Sequence, residues 1–228
     1  MDIKIIYEND ELIVVNKPSG LLVHPTAKNE KDTLVSRILE NYPKIKGVGE
    51  VGRDGIVHRL DKETSGLLVV ARNSDSYEKL KKLFKERKIK KKYYALVWGH
   101  PKESSGIIKK EIRAHKGKRQ TVEKYSQIEK GKTRTSETHW EVIKKYKDFT
   151  LLDVEPITGR THQIRVHLDS VGHPIVCDKL YGKKKPCPEG LGRVFLHAYF
   201  LQIPFNDGEL LEFEEDLPED LSKFLNIL

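Results

Sequence analysis

The chain has 228 residues, 37% of them apolar, which fits a folded protein with a real core and excludes a disordered or fibrous polymer. Apolar runs such as Leu67 to Ala71 are far too short to cross a bilayer. Asp2, Lys4, Glu8 and Asp10 interrupt the first apolar residues, which argues against a secretory leader and for the cytoplasm. The net charge of +8 at pH 7 suits a polyanionic partner.

The first quarter reads as β-structure. Ile3 to Tyr7 and Leu12 to Val15 are predicted strands joined by the polar turn Glu8 to Asp10. Lys17-Pro18-Ser19-Gly20 is a turn, and Leu21 to His24 resumes an extended run ended by Pro25. Leu34, Ile38 and Leu39 predict a helix over Thr33 to Tyr42, stopped by Pro43. Glycine and charge mark 47–55 as a loop. Gly66 to Ala71 is a buried strand, after which Ser74 caps a helix to about Lys88 whose stripe is Tyr77, Leu80 and Phe84. Tyr93 to Trp98 is a further strand.

The stretch from Glu103 to Tyr146 is rich in Lys, Thr and Glu and reads as exposed hairpins without a definite register, a candidate subdomain over 103–146. Phe149 to Val154 is predicted as a strand. Thr161 to Val171 is a helix with Ile164, Leu168 and Val171 on one face. Phe195 to Ile203 is a strand, and Pro218 opens a last helix through Leu221, Phe224 and Leu225. No βαβ rhythm repeats. The expected class is therefore α+β, with a largely antiparallel or mixed central sheet flanked by helices and loops in a single domain over 1–228.

Charge is unevenly spread. From Lys79 to Lys92 nine basic residues accompany one acid, Glu86, whereas acids dominate beyond Asp207. Such a strip can meet RNA phosphates or be merely solvated. The two cysteines, Cys177 and Cys187, form no CxxC pair and are expected as free thiols. His162, His167 and His173 cluster without HExxH, so no metal site is expected.

The densest chemical signal is His58-Arg59-Leu60-Asp61-Lys62-Glu63-Thr64-Ser65-Gly66, a polar loop feeding a buried strand. A loop aspartate alone is commonly just a turn former. A kinase catalytic loop fails on spacing: the Asp falls one place late, Gly66 stands where an Asn is needed, and no Asp-Phe-Gly follows. A hydrolase built on Asp61 and His58 is a further reading.

Five ordered motifs decide among these. HRLDKETSGLLVVAR resembles the signature of the RluA-type pseudouridine synthase family. Asn16 to Pro25 resembles that family's early motif, and Lys91, Tyr93, Ala95, Val97 and Gly99 its alternating strand. Thr158 to Leu168, continued by Gly172 to Ile175 and Asp178 to Gly182, resembles its late motif. Phe195 to Ala198 resembles its final one.

The resemblance implies a pseudouridine synthase fold and a cofactor-free isomerisation of uridine in ribosomal RNA, transfer RNA or both. Asp61 would be the catalytic carboxylate, kept ionised by the guanidinium of Arg165, and Tyr93 would stack on the extruded uracil. Arg59 would fill the space the base leaves, and Leu196 would wall the base pocket. Lys17, Lys91 and Arg160 would contact phosphates. A monomer without an S4-type N-terminal domain is expected. The alternative is an RNA-binding or RNA-chaperone protein that keeps the fold without needing its chemistry.

Overall fold

The two N-terminal apolar runs pair as strands in the computed structural model, which describes residues 3–115, 118–121, 134–182, 184–205 and 208–228. Strand β1 (Lys4–Glu8) lies antiparallel to β2 (Leu12–Lys17), and the Asn9 side chain closes the turn by accepting the Glu11 and Leu12 amides at 2.9 Å each. The other edge of β2 pairs antiparallel with β3 (Ser65–Ala71), from Leu12 opposite Ala71 to Lys17 opposite Gly66. Both faces of β3 are buried, which explains its unbroken apolar run. These strands belong to one of two compact units, Met1–Lys91 with Ala198–Asp216.

Two helices complete that unit. Thr33 and Ser36 form a capping box ahead of α1 (Leu34–Asn41). Leu21 to His24, expected as a strand, makes only a single bridge to Thr33. Its carbonyls are used otherwise: Leu22 and Val23 accept the first-turn amides of Leu34 and Val35. Helix α2 (Ser74–Lys85) is capped by Asn73 rather than the expected Ser74, with Asn73 Oδ1 accepting the Ser76 amide. It stops short of Lys88 because Arg87 turns left-handed. The Lys88 amide then reaches the Leu83 carbonyl and the Arg87 amide that of Phe84, which closes the last turn. Strand β9 (Leu196–Pro204) pairs antiparallel with β10 (Leu210–Glu214). At Gly66, φ is +120° and an added Cβ would fall 2.2 Å from the Ala198 carbonyl oxygen, so only glycine fits there.

The second unit comprises Lys92–His197 and Leu217–Leu228. Its sheet uses β4 (Lys90–Trp98), β5 (Ser105–His115), β6 (Lys118–Thr121), β7 (Arg134–Lys145) and β8 (Phe149–Pro156). The order is β4-β8-β7-β5-β6, antiparallel throughout. Within 103–146, β5 and β7 pair in a definite register from Ser105 opposite Glu141 to Ile112 opposite Arg134. The sequence hides this because Ser136 and Thr138 occupy inward positions beside Ile108 and Ile112, which breaks the apolar alternation. Residues 122–133 of that segment lie outside the described residues.

Helix α3 (Gln163–Ser170), shorter than expected, packs on this sheet with six consecutive buried residues, Gln163 to Leu168. Val171, expected on its apolar face, is exposed. Helix α4 (Glu219–Asn226) sets Phe224 against Phe149 at 6.3 Å. Cys177 and Cys187 are not free thiols but a disulfide. The chain doubles back between them, where the Gly182 amide meets the Asp178 carbonyl, and brings their Cα atoms to 4.3 Å. Spacing alone does not reveal such a turn. The protein is α+β, as expected. Among the described residues, no helix is long and apolar enough to cross a membrane.

Candidate active site

In the first unit, the loop bearing Asp61 is held by four hydrogen bonds to three successive carbonyls. The Lys62 carbonyl accepts from the Gly20 amide at 2.8 Å and from Lys17 Nζ at 3.2 Å. The Glu63 carbonyl accepts from Ser19 Oγ at 2.7 Å, and the Asp61 carbonyl from the Thr64 amide at 3.1 Å. Upstream, His58 Nε2 accepts the Val69 amide of β3 at 3.0 Å while its ring stacks on Phe84 at 4.5 Å. Two motifs read separately in the sequence thus form one object: the Lys17–Gly20 turn clamps the loop around Asp61. Asp61 is partly buried, Leu60 before it is buried, and Arg59 is exposed.

Lys17 departs from its expected role. It is fully buried, and Nζ donates to the carbonyls of Pro18 at 2.8 Å and Leu21 at 2.9 Å as well as Lys62. A phosphate does not reach an ammonium enclosed in this way, so Lys17 belongs to the clamp. His58 is likewise structural. Burial, helped by the Lys91 charge, pushes it down to about 3, and its Nε2 lone pair is committed to Val69. That removes the base which the hydrolase reading requires.

The second unit carries Arg165, Arg160, Tyr93 and Leu196. The sequence fixes α3 through a buried polar chain. Ser136 Oγ donates to the Lys110 carbonyl and so accepts from His167 Nε2–H at 2.8 Å. His167 Nδ1 then accepts from Thr138 Oγ1–H at 2.9 Å, and Thr138 accepts from Gln163 Nε2 at 2.9 Å. Gln163 Oε1 takes Thr158 Oγ1–H at 2.6 Å and the Arg160 amide at 3.0 Å. Every ring nitrogen and amide atom in the chain is used, which defines the neutral Nε2–H tautomer of His167.

Burial and the nearby Lys110 charge push His167 down to about 4. In the unfolded chain a histidine takes up its proton near pH 6.5. Between those values the unfolded state holds more protons, so stability falls as pH drops from about 6.5 to about 4 and is fully present above that window. Thermal melts across it should show His167→Gln losing much of the slope, a difference on the order of 2 kcal/mol.

Arg165 is 7% exposed and pairs side-on with Asp178, Nε to Oδ2 at 2.7 Å and Nη2 to Oδ1 at 2.8 Å. Its guanidinium also lies 5.3 Å from the Tyr181 ring, whose hydroxyl meets His162 Nδ1 at 2.9 Å. Tyr93 is 8% exposed on β4 opposite Val154, and Leu196 is buried at the start of β9. Arg160 is partly buried with Nε donating to the Thr135 carbonyl at 3.3 Å.

In the basic strip, Lys79 pairs with Glu11, Lys81 with Glu78, Lys88 with Glu86 and Lys92 with Asp153, which lowers the charge available to phosphates. Lys91 is partly buried with Nζ 5.6 Å from the Phe84 ring. Among the described residues no three His, Cys, Asp or Glu gather as a metal site. The residues without an expected role that prove structurally central are Ser19, Gln163, His167, Asp178 and Tyr181. Each stood inside a recognised motif, but only the pairing shows what it holds.

The strands and helices match the fold of a known class of RNA-modifying domain. The family model for RNA pseudouridylate synthases matches residues 11–170, and the chain belongs to that family.

Ribosomal large subunit pseudouridine synthase D of Nitrosomonas europaea is 39% identical over 99% of this chain, and the chain spans 65% of that protein's length. An uncharacterized RNA pseudouridine synthase of Bacillus subtilis is 38% identical, covering all of this chain and 73% of the relative. Among solved structures, human RNA pseudouridylate synthase domain containing 4 aligns with a TM-score of 0.77 and 26% identity, over 98% of this chain and 92% of that one.

Proposed function

We propose that this chain isomerises uridine to pseudouridine in RNA, with large-subunit ribosomal RNA as its substrate class and Asp61 as its catalytic carboxylate. The observation that carries the reading is the clamp. The Lys17–Gly20 turn and His58 fix the backbone on both sides of Asp61, as a group that must meet one sugar carbon needs. The relatives' names support ribosomal RNA as the substrate.

The reaction breaks N1–C1′, turns the uracil and joins C5 to C1′. The proton leaving C5 is matched by one gained at N1, so atoms and electrons balance without a co-reactant. A carboxylate serves the step by bonding to C1′ or by stabilising positive charge on the sugar, as glycosidase carboxylates do. Arg165 keeps that carboxylate charged, Tyr93 stacks on the uracil, and Leu196 lines the base pocket; the family motifs in which they stand support these roles. A base inside a stem must leave its stack first.

The test is release of tritium from RNA carrying 5-tritiated uridine. Large-subunit ribosomal RNA is expected to release label, and transfer RNA tests the breadth of the substrate class. Binding without release from any RNA would favour the RNA-chaperone reading instead.

Arg59 follows Asp61 in this scheme as the residue that fills the vacated space. It is exposed and makes no ion pair or hydrogen bond among the described residues. Arg59→Ala should therefore leave stability unchanged and raise KM for a structured RNA by about tenfold, an unstacking cost near 1.4 kcal/mol. An unstructured oligonucleotide with the same uridine should show a much smaller change.

A further inference from the structure

The pair between Arg165 and Asp178 is deeply enclosed, with side-chain exposures of 8% and 0%. A buried ion pair contributes little net stability, since desolvating both charges offsets their attraction. This one is nevertheless elaborately supported. Asp178 Oδ1 accepts the amides of Leu180 at 2.9 Å and Tyr181 at 3.1 Å besides the guanidinium. Burial pushes the Asp178 carboxyl up, but Arg165 and those amides outweigh it and hold the group below the usual carboxylate range. The following turn closes through Gly182, and the Cys177–Cys187 disulfide ties its ends. The Tyr181 ring, itself anchored by His162, covers the guanidinium.

We propose that Asp178 is a positioning residue for the reaction, holding the Arg165 guanidinium by one edge so that its other edge has a single fixed direction. The proposal rests on Arg165 acting in the chemistry as set out above. A side-on pair engages Nε–H and one Nη2–H. It does not consume the end-on fork between Nη1 and Nη2, the edge that matches a second carboxylate. With Nε fixed, the guanidinium cannot swing about its last torsion, so it need not reorganise when charge changes at the reacting centre.

The test measures kcat and KM separately for wild type, Asp178→Asn, Arg165→Lys and the double variant on a uridine-containing ribosomal RNA fragment. Asp178→Asn should lower kcat about 50-fold with KM within threefold. Combined with Arg165→Lys, it should cost no further factor, because both changes remove the same directed guanidinium. If Asp178→Asn folds poorly by circular dichroism, Asp178→Glu decides: it keeps the charge but shifts the partner by one methylene, and kcat should fall about tenfold.

A kcat within threefold of wild type in the folded variant overturns the proposal, as does a double variant whose losses multiply. If Arg165→Lys alone leaves kcat unchanged, the role of Arg165 itself fails and the proposal falls with it. A slow Arg165→Lys beside an unaffected Asp178 variant sinks the positioning role alone.

Discussion

Asp61→Asn should lower tritium release at least about a thousandfold, a loss of roughly 4 kcal/mol of transition-state stabilisation, while RNA affinity stays within a few-fold. Asparagine has the same shape but no charge, so it can neither bond to C1′ nor stabilise a cationic sugar. Loop geometry should survive, because the anchors described for this segment run through the backbone carbonyls of Asp61, Lys62 and Glu63. Equal melting temperatures for the two proteins would confirm that the loss is chemical. Release at the normal rate from a correctly folded variant would remove Asp61 from the mechanism. A proportional fall in RNA binding would instead make it a contact residue.

The loop around Asp61 stands out in the sequence because its motif is local and dense. The fold was legible where burial follows simple periodicity. The apolar runs of β2 and β3 announce strands buried on both faces, and Tyr77 and Leu80 announce the inner stripe of α2. It was less legible where polar atoms are buried in pairs. Ser136, Thr138, Gln163 and His167 read singly as surface residues, yet together they form the interior between β7 and α3. Each is affordable inside only because another supplies its hydrogen bond, and a one-dimensional pattern does not show which pairs meet. The same holds for Asp178 and Arg165, thirteen residues apart, and for Cys177 and Cys187 across their turn. Helix ends failed for a related reason: Asn73 and Ser74 are both good caps, and only the backbone angles choose between them.

Lys17 gives the sharpest contrast between the two ways of reading a lysine. Lys17→Met keeps most of the volume but removes every donor. The Pro18 and Leu21 carbonyls lose their described side-chain donor, while Lys62 keeps the Gly20 amide. Two orphaned acceptors at about 1–3 kcal/mol each, less the relief of no longer burying an ammonium, leave a loss of about 3 kcal/mol. That is a large share of a typical domain's stability and should appear as a lower urea midpoint with the slope unchanged. Because the clamp also fixes the Asp61 loop, kcat should fall even at temperatures where the variant is folded. A phosphate contact predicts the opposite pattern: unchanged stability, weaker RNA binding and a salt dependence shallower by nearly one ion. Measuring the slope of affinity against salt for both proteins separates the two, and a clamp requires the slopes to coincide.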